Sequence, residues 1–508
     1  MIERVKKTGF DFIVVGAGSA GCVLAARLSQ CTAARVLVLE AGCSQPLPEM
    51  AVPPAWPALM GGTADWADQT VPQPPTGTVL DWPRGRGLGG SSSINAMNFN
   101  RGHRSSYDAW AVSGWGFDDL LPYFQRSEHA PQRDSALRGT GGPLTVGPAV
   151  EPHPVAQAGL TAAEQAGFRR ATDISGGLEE GFDWVDLNIT AGRRQSAADA
   201  YLTPALDRQN LEVITDALVH RLRFNGGRCA AVQYSVGGQI AVAECAAGGE
   251  VVLAGGTIGS AQLLLLSGIG PAAQLREHDI PVLVDLPGVG ENLHDHPMCG
   301  VVYSAARPVP QAVNNHGEVQ GLIRTGVPGG IDGPDVQIMI VDVPLREDTL
   351  PGPGIGAGYS VVSALMAPLS RGTVRLANAT PGARTRIDPR YYTERRDLEA
   401  MAAGLRAARA IGGADALQPW RDKEVWPGVA VADDELSGCP RHNLRSYSHY
   451  AGSCRMGTDE MAVVDPQLRV AGVTGLRVAD ASIMPAPVSA NTNATVYAIA
   501  ERAADLLH

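Results

Sequence analysis

No apolar run in this chain approaches the ~20 residues that a membrane-spanning helix needs. The stretch Leu263-Leu-Leu-Leu266 is soon broken by Gly268 and Gly270. The N-terminus, Met1-Ile-Glu-Arg-Val-Lys-Lys-Thr-Gly-Phe10, carries no apolar leader and no cleavage-site pattern, so no secretory signal is expected. The 8 cysteines form no C-x-x-C pair and follow no regular spacing, which points to reduced thiols and a cytoplasmic protein. Basic residues do not cluster, which argues against nucleic acid or an anionic membrane as partner. The net charge of −11 is read as a matter of solubility alone. There is no internal repeat, and the 60 glycines and 36 prolines show no period, so they mark turns between apolar runs in an ordered chain.

What is present is a 508-residue chain, 44% hydrophobic and 18% charged, long enough for two or more domains with large cores. It opens on Phe12-Ile-Val-Val-Gly16-Ala-Gly18-Ser-Ala-Gly21, followed by Val36-Leu-Val-Leu-Glu40. An apolar run, G-x-G-x-x-G, a helical stretch and a second apolar run ending in an acid make a βαβ unit for a dinucleotide. Gly16 permits the tight turn, Gly18 lets backbone approach a pyrophosphate, and Gly21 lets helix pack on strand. Glu40 is placed to accept from ribose hydroxyls, which favours FAD or NAD over NADP.

Residues from about 42 to 73, rich in Pro, Trp and Gly, read as a long loop that shapes a ligand site. The next segment, Arg84-Gly-Arg-Gly-Leu-Gly-Gly90-Ser-Ser-Ser-Ile-Asn95, offers backbone and hydroxyl donors with little bulk, so chain can lie flat against a planar or anionic ligand. Leu211 to Gly227 alternates as strands closing in a hairpin, Glu250–Gly256 reads as a buried strand, and a helix is expected over Ser260–Ser267. From Val301 to Gly438 alternating strands, proline-rich turns and a helical face at Asp397–Ile411 suggest a second domain on an antiparallel sheet. The chain closes in a helix over Thr495–Leu507, with Asn491 or Asn493 as candidate caps.

Four separated blocks make the chain resemble the glucose–methanol–choline (GMC) oxidoreductases, flavoenzymes that oxidise alcohols with FAD. They are Gly16–Gly21 with Glu40; Gly85–Asn95 continuing to Gly102; Gly256–Gly270 leading to Gly288-Val-Gly-Glu-Asn-Leu-His-Asp-His296; and His449-Tyr-Ala-Gly-Ser-Cys-Arg-Met-Gly457 with Asp480–Pro485 and Asn491-Thr-Asn493. The resemblance implies an α/β (α+β) fold: a Rossmann-like FAD-binding domain with an inserted substrate domain on an antiparallel sheet. The FAD-binding domain is expected over 1–150, 191–300 and 441–508, and the substrate domain over 151–190 and 301–440.

It further implies that Gly16, Gly18, Ser19, Ala20, Gly21, Glu40 and Ala41 meet the ADP half of FAD. Arg86, Gly89, Gly90, Ser91, Asn95, Ala96 and Asn98 would follow the pyrophosphate, ribityl chain and flavin ring. Val219 would meet the adenine, Ala254 and Gly255 would join the cofactor site, and Asp480 and Ala481 would lie near the ribityl chain. Asn491 and Thr492 would flank the pyrimidine end of the ring, before a helix N-terminus suited to the negative charge of a reduced flavin. Ile94 stands where relatives with covalent flavin carry the linking histidine, so non-covalent FAD is expected. Ala261 replaces a usual proline, with an effect expected at a helix start only.

In that scheme His449 is the base that takes the hydroxyl proton, and Asn491 positions the substrate oxygen. Tyr447 and Ser448 are expected to shape the pocket, and Tyr447 to influence oxygen access. The pair His294-Asp-His296 has the look of metal ligands, but with no third ligand nearby it is read as structural chain, and no metal is expected. Cys454, close to His449, is read as a buried core residue rather than a reactive thiol. Asn314-Asn-His-Gly-Glu318 is a polar cluster that could face the pocket, with a solvated loop the plainer reading. The partners implied are a small alcohol and either oxygen or another electron acceptor, for a monomer or homodimer. A flavin-bearing hydroxynitrile lyase, a photodecarboxylase, a vestigial flavoprotein and an NAD-dependent dehydrogenase are the rival readings.

Overall fold

A computed structural model describes residues 9–347 and 349–507. Residues 1–8, the start of the N-terminal segment in which no secretory signal is expected, lie outside them. Two sheets organise the chain. In the first, parallel strands run Leu211–Ile214, Val36–Leu39, Phe10–Val15 and the end of Gln239–Leu253, with Leu476–Val478 added beyond it. Val36–Leu39 is buried along its whole length, as expected where a parallel strand is covered on both faces. Helix Ser19–Leu28 packs over these strands through Gly21, where a Cβ would run into the Gly16 carbonyl.

The 15-residue strand Gln239–Leu253 joins two architectures. Its end belongs to the parallel layer, and its start pairs antiparallel with Arg228–Val236, which in turn pairs with Ala217–Asn225. The hairpin signal at Gly226-Gly227 is therefore realised. Helix Gly256–Leu266 follows this strand, starting earlier than Ser260, so Ala261 sits within the helix and not at its start.

The second sheet is antiparallel throughout: Arg421–Trp426, Pro297–Ala305, Gly358–Leu365, Val336–Val341, Val319–Ile323 and Gly181–Trp184, with Arg445–Ser446 also on Pro297–Ala305. Alternation divides its faces. Ile340 packs against Gly159 of helix Pro154–Gln165, and Ser363 against Gly404 of helix Arg395–Gly413. The opposite face presents Met298, Met339 and Val341 to a large internal cavity. Among the described residues no helix is long and apolar enough to cross a membrane. All eight cysteines are free, and Cys454 is fully buried, with its thiol pushed up by burial.

A buried charge network joins the two parts. Arg138, fully buried, reaches Glu128 at 2.9 Å, Asp173 at 2.8 Å and Asp186 at 2.7 Å. Asp173 and Asp186 flank Gly181–Trp184, an edge strand of the second sheet, while Glu128 follows helix Phe117–Ser127. Removing the shared cation strands buried carboxylates, which costs about 3–5 kcal/mol when a buried pair is broken. Arg138→Met is therefore expected to lower the melting temperature sharply, and a thermal melt unchanged from the parent would contradict this account.

Candidate active site

The cavity, about 1380 Å³, runs between the two sheets and is walled by segments from distant parts of the chain. Its volume exceeds the ~300–1,000 Å³ of ordinary small-molecule pockets, as a dinucleotide plus a substrate would require. Three helix N-termini open on it, at Ser19, Gly256 and Asn493, each able to turn backbone N–H groups toward an anion. The Ser19 hydroxyl donates to Asn493 Oδ1 at 2.8 Å and holds two of these termini together.

At one end the Glu40 carboxylate is buried and accepts backbone N–H groups from Ala17 at 2.8 Å, Gly42 at 2.8 Å and Gly87 at 3.0 Å. Gly18 and Gly90 approach each other from two loops, and a Cβ on Gly90 would lie 2.7 Å from the Gly18 Cα. A Cβ on Gly18 would meet only Gly90, at 4.0 Å, and otherwise stand in open space. Along the wall Asp480 accepts from the Gly256 N–H at 2.9 Å and the Ser260 hydroxyl at 2.6 Å, which fixes the start of that helix.

Of the residues expected to hold cofactor, Gly16, Gly18, Ser19, Ala20, Glu40, Ala41, Gly90, Ser91, Asn95, Ala96, Asn98, Val219, Ala254, Gly255, Asp480, Ala481, Asn491 and Thr492 all line this one cavity. Gly21, Arg86 and Gly89 do not line it. Gly21 serves the helix–strand approach, and Gly89, at φ +86°, donates to the Ala17 carbonyl at 2.8 Å and sets the turn before Gly90. Arg86 lies over the Trp66 ring, 5.2 Å from its centroid. The candidate caps turn elsewhere: Asn493 Oδ1 takes the Ser19 hydroxyl, and the Asn491 amide faces His449.

The far end holds the candidate chemistry. Asn491 Nδ2 is 3.1 Å from His449 Nε2, and the Tyr447 ring lies 4.0 Å from the His449 ring, centroid to centroid. Ser448, at φ +62°, makes the tight turn that brings His449 in. Sequence reasoning missed what supports this turn. Asp295 Oδ1 accepts the His449 backbone N–H at 2.7 Å, and its Oδ2 accepts the Ser446 hydroxyl at 2.6 Å and the Tyr391 hydroxyl. Burial raises the Asp295 pKa to about 6 against the pull of these donors. His296 Nδ1 is 2.9 Å from His449 Nδ1. The stretch His294–His296, read as structural chain, therefore touches the candidate base directly. Burial first, and the adjacent His296 second, hold His449 well below the ordinary histidine range, so it is a free base at neutral pH.

The segment Asn314–Glu318 corrects the plainer sequence reading, because it is no solvated loop. Asn315 and Glu318 are buried, and Asn315 Nδ2 donates to the Ala96 carbonyl at 2.6 Å. His316 lines the cavity and bridges Asp342 at 2.6 Å and the Pro54 carbonyl at 3.0 Å. Trp56 Nε1 also donates to the Asn315 carbonyl at 3.0 Å, so the long loop is pinned as one wall of the cavity.

With this geometry in view, the N-terminal family model of the GMC oxidoreductases matches residues 10–298 and the C-terminal one residues 368–500. The chain belongs to the GMC oxidoreductases. It is 39% identical to human mitochondrial choline dehydrogenase, over 98% of this chain and 89% of that protein. It is 36% identical to the oxygen-dependent choline dehydrogenase of Brucella anthropi, over 97% of this chain and 95% of that protein. The solved pyridoxine 4-oxidase from Mesorbium loti superposes with a TM-score of 0.93 at 38% identity, covering 98% of each chain. As a GMC oxidoreductase the protein is an FAD-dependent alcohol oxidoreductase.

The residues present fit that cofactor. The glycine approach at Gly18 and Gly90 leaves an open cradle, and Asn491 Oδ1 and Asn493 Nδ2, on cavity-lining residues, are buried without hydrogen-bond partners among the described residues. Gly18→Val should therefore fold normally yet purify with little flavin, because its side chain fills the cradle. Gly21→Val should lose stability instead, because its Cβ meets the Gly16 carbonyl. Flavin absorbance and a melting curve on both variants check this, and full flavin content in Gly18→Val would contradict it.

Proposed function

We propose that this enzyme oxidises a small, uncharged primary alcohol, with an aryl or heteroaryl methanol preferred over a quaternary ammonium alcohol. The observation that carries the substrate class is the wall beside His449. Met298, Met339, Val341, Val343, Leu345 and Tyr447 form one apolar cluster there and line the cavity. Methionine sulfurs and a tyrosine ring suit an aromatic guest. The described carboxylates on the substrate-sheet side of the cavity are engaged already: Asp342 is hydrogen-bonded to His316, and Glu347 meets Arg445 at 3.2 Å. A quaternary ammonium would have to compete with those partners. The solved relative named for pyridoxine oxidation supports the same class.

FAD, when bound, accepts a hydride from the carbinol carbon. The chain's own part is to take the hydroxyl proton and hold the oxygen as its charge grows. His449 Nε2 and Asn491 Nδ2 lie 3.1 Å apart at the cavity wall, so an alcohol oxygen seated beside both can give its proton to the imidazole while accepting from the amide. Burial of His449 excludes water from that transfer and keeps the ring unprotonated. Gly16, Gly18, Ser19 and Glu40 would hold the adenosine end of the cofactor, and Asn98, Asp480, Asn491 and Thr492 the flavin end. Ile94 offers no nucleophile for a covalent link and packs with Leu59 and Ala64. Oxygen is the proposed acceptor, supported by the oxygen-dependent and oxidase relatives.

His449→Ala should retain flavin but slow its anaerobic reduction by about 10²–10⁴-fold, the usual cost of losing a general base; an unchanged rate would remove the base assignment. Because the His449 pKa is lowered, reduction should still be at full rate at the ordinary histidine pKa, near pH 6.5. It should fall away only as the pH drops through the lowered value. A benzylic and heteroaryl panel should bleach the flavin faster than choline does, and air should recolour it with peroxide. Flavin that no alcohol bleaches would favour a lyase.

A further inference from the structure

The two buried imidazoles place a strict condition on where protons sit. His296 and His449 meet edge to face, with centroids 5.1 Å apart and planes at 83°, and their Nδ1 atoms are 2.9 Å apart. One of these nitrogens must carry a hydrogen and the other a lone pair: two N–H groups would collide, and two lone pairs would repel. Both rings are buried, at 1% and 7% exposure, so neutral imidazoles with one N–H each are the forms to consider.

The surroundings of His449 break the symmetry. Asn491 Nδ2 stands 3.1 Å from His449 Nε2, and an amide nitrogen only donates. The neutral His449 ring therefore presents a lone pair at Nε2 and carries its hydrogen on Nδ1. His296 Nδ1, 2.9 Å away, must then accept that hydrogen, so His296 holds a lone pair at Nδ1 and its own hydrogen on Nε2. The acidic neighbour does not compete for the ring: Asp295 is occupied by the His449 backbone N–H and the Ser446 and Tyr391 hydroxyls. The Tyr447 hydroxyl turns to Gln337 at 2.9 Å.

We propose that His296 is a positioning residue that fixes the tautomer of His449, so that Nε2 and not Nδ1 receives the alcohol proton. The proposal rests on His449 as the base. When the O–H bond breaks and the proton moves to Nε2, the resulting imidazolium keeps donating from Nδ1 to His296. No ring has to turn during the transfer. A neutral partner orients the base without the carboxylate that would raise its pKa, so the tautomer is held while the base stays free in mildly acid solution.

Two variants of the full flavoprotein test this by anaerobic stopped-flow reduction with benzyl alcohol across pH. His296→Leu fills the space but removes the acceptor, and should slow reduction roughly 10–100-fold, as loss of an orienting partner commonly does. His296→Asp supplies an acceptor-only group, should retain reduction at high pH, and should move the acid limb upward because a carboxylate stabilises the His449 imidazolium. Flavin content and melting temperature accompany each variant. A purely structural role predicts no movement of the limb. Parent-like rate and limb in His296→Leu, or an unmoved limb in His296→Asp, overturn the proposal. If His296→Leu holds no flavin, the limb in His296→Asp decides alone. Failure of the base itself shows separately, as an unimpaired His449→Ala.

Discussion

The buried Glu40 carboxylate ties three loops by their backbone N–H groups, and the cavity depends on this knot. Ala17 belongs to the glycine turn after the first strand, Gly42 to the start of the long loop, and Gly87 to the glycine-rich segment. Without a shared acceptor, three buried donors would be left unpaired, each a cost of about 1–3 kcal/mol. With it, two glycine-bearing loops are brought into contact at Gly18 and Gly90. A wall of bare backbone then faces the cavity, which is the surface that a long anionic cofactor needs.

The opposite end obeys a different constraint. A histidine stays unprotonated well below its ordinary pKa only if its charged form is disfavoured; withdrawal from water does this, and it strands the polar groups around it. Asp295 resolves this by taking the His449 backbone N–H and two hydroxyls on one carboxylate, while His296 and Asn491 each meet one ring nitrogen. The same burial pushes Asp295 up to about 6, so the anchoring group shares the desolvation that His449 undergoes.

How much of this could be read from sequence follows from what each site demands. Backbone close to a pyrophosphate requires glycine at set spacings, so Gly16, Gly18 and Gly90 were legible together with the βαβ order. Packing requirements use the same residue, which is why Gly21 and Gly89 carry the signature without lining the cavity. His449 and Asn491 were legible through the family resemblance. His296 was not, because its contact spans 153 residues and nothing in the text near His449 announces it. The segment Asn314–Glu318 misled for a related reason: a polar run reads as solvated until the chain that buries it is known. Its partners, Ala96, Pro54 and Asp342, come from three separate regions.

The proposed substrate wall was illegible for a more general reason, which bears on how such a fold can change its substrate. Along Val336–Val341 successive side chains alternate between faces: Ile340 packs on the helix at Gly159, and Met339 and Val341 face the cavity. Both sets are apolar, so their sequence carries no mark of which one touches ligand. Their physical roles nevertheless differ. The helix-facing set is locked by close packing, where a lost methylene leaves a void, while the cavity-facing set borders space that a ligand fills. Cavity-facing positions can therefore vary in size and polarity with little effect on the sheet, while His449, its anchors and the glycine-lined wall stay in place. The architecture lets specificity change independently of both stability and chemistry, and in doing so removes the substrate's signature from the sequence.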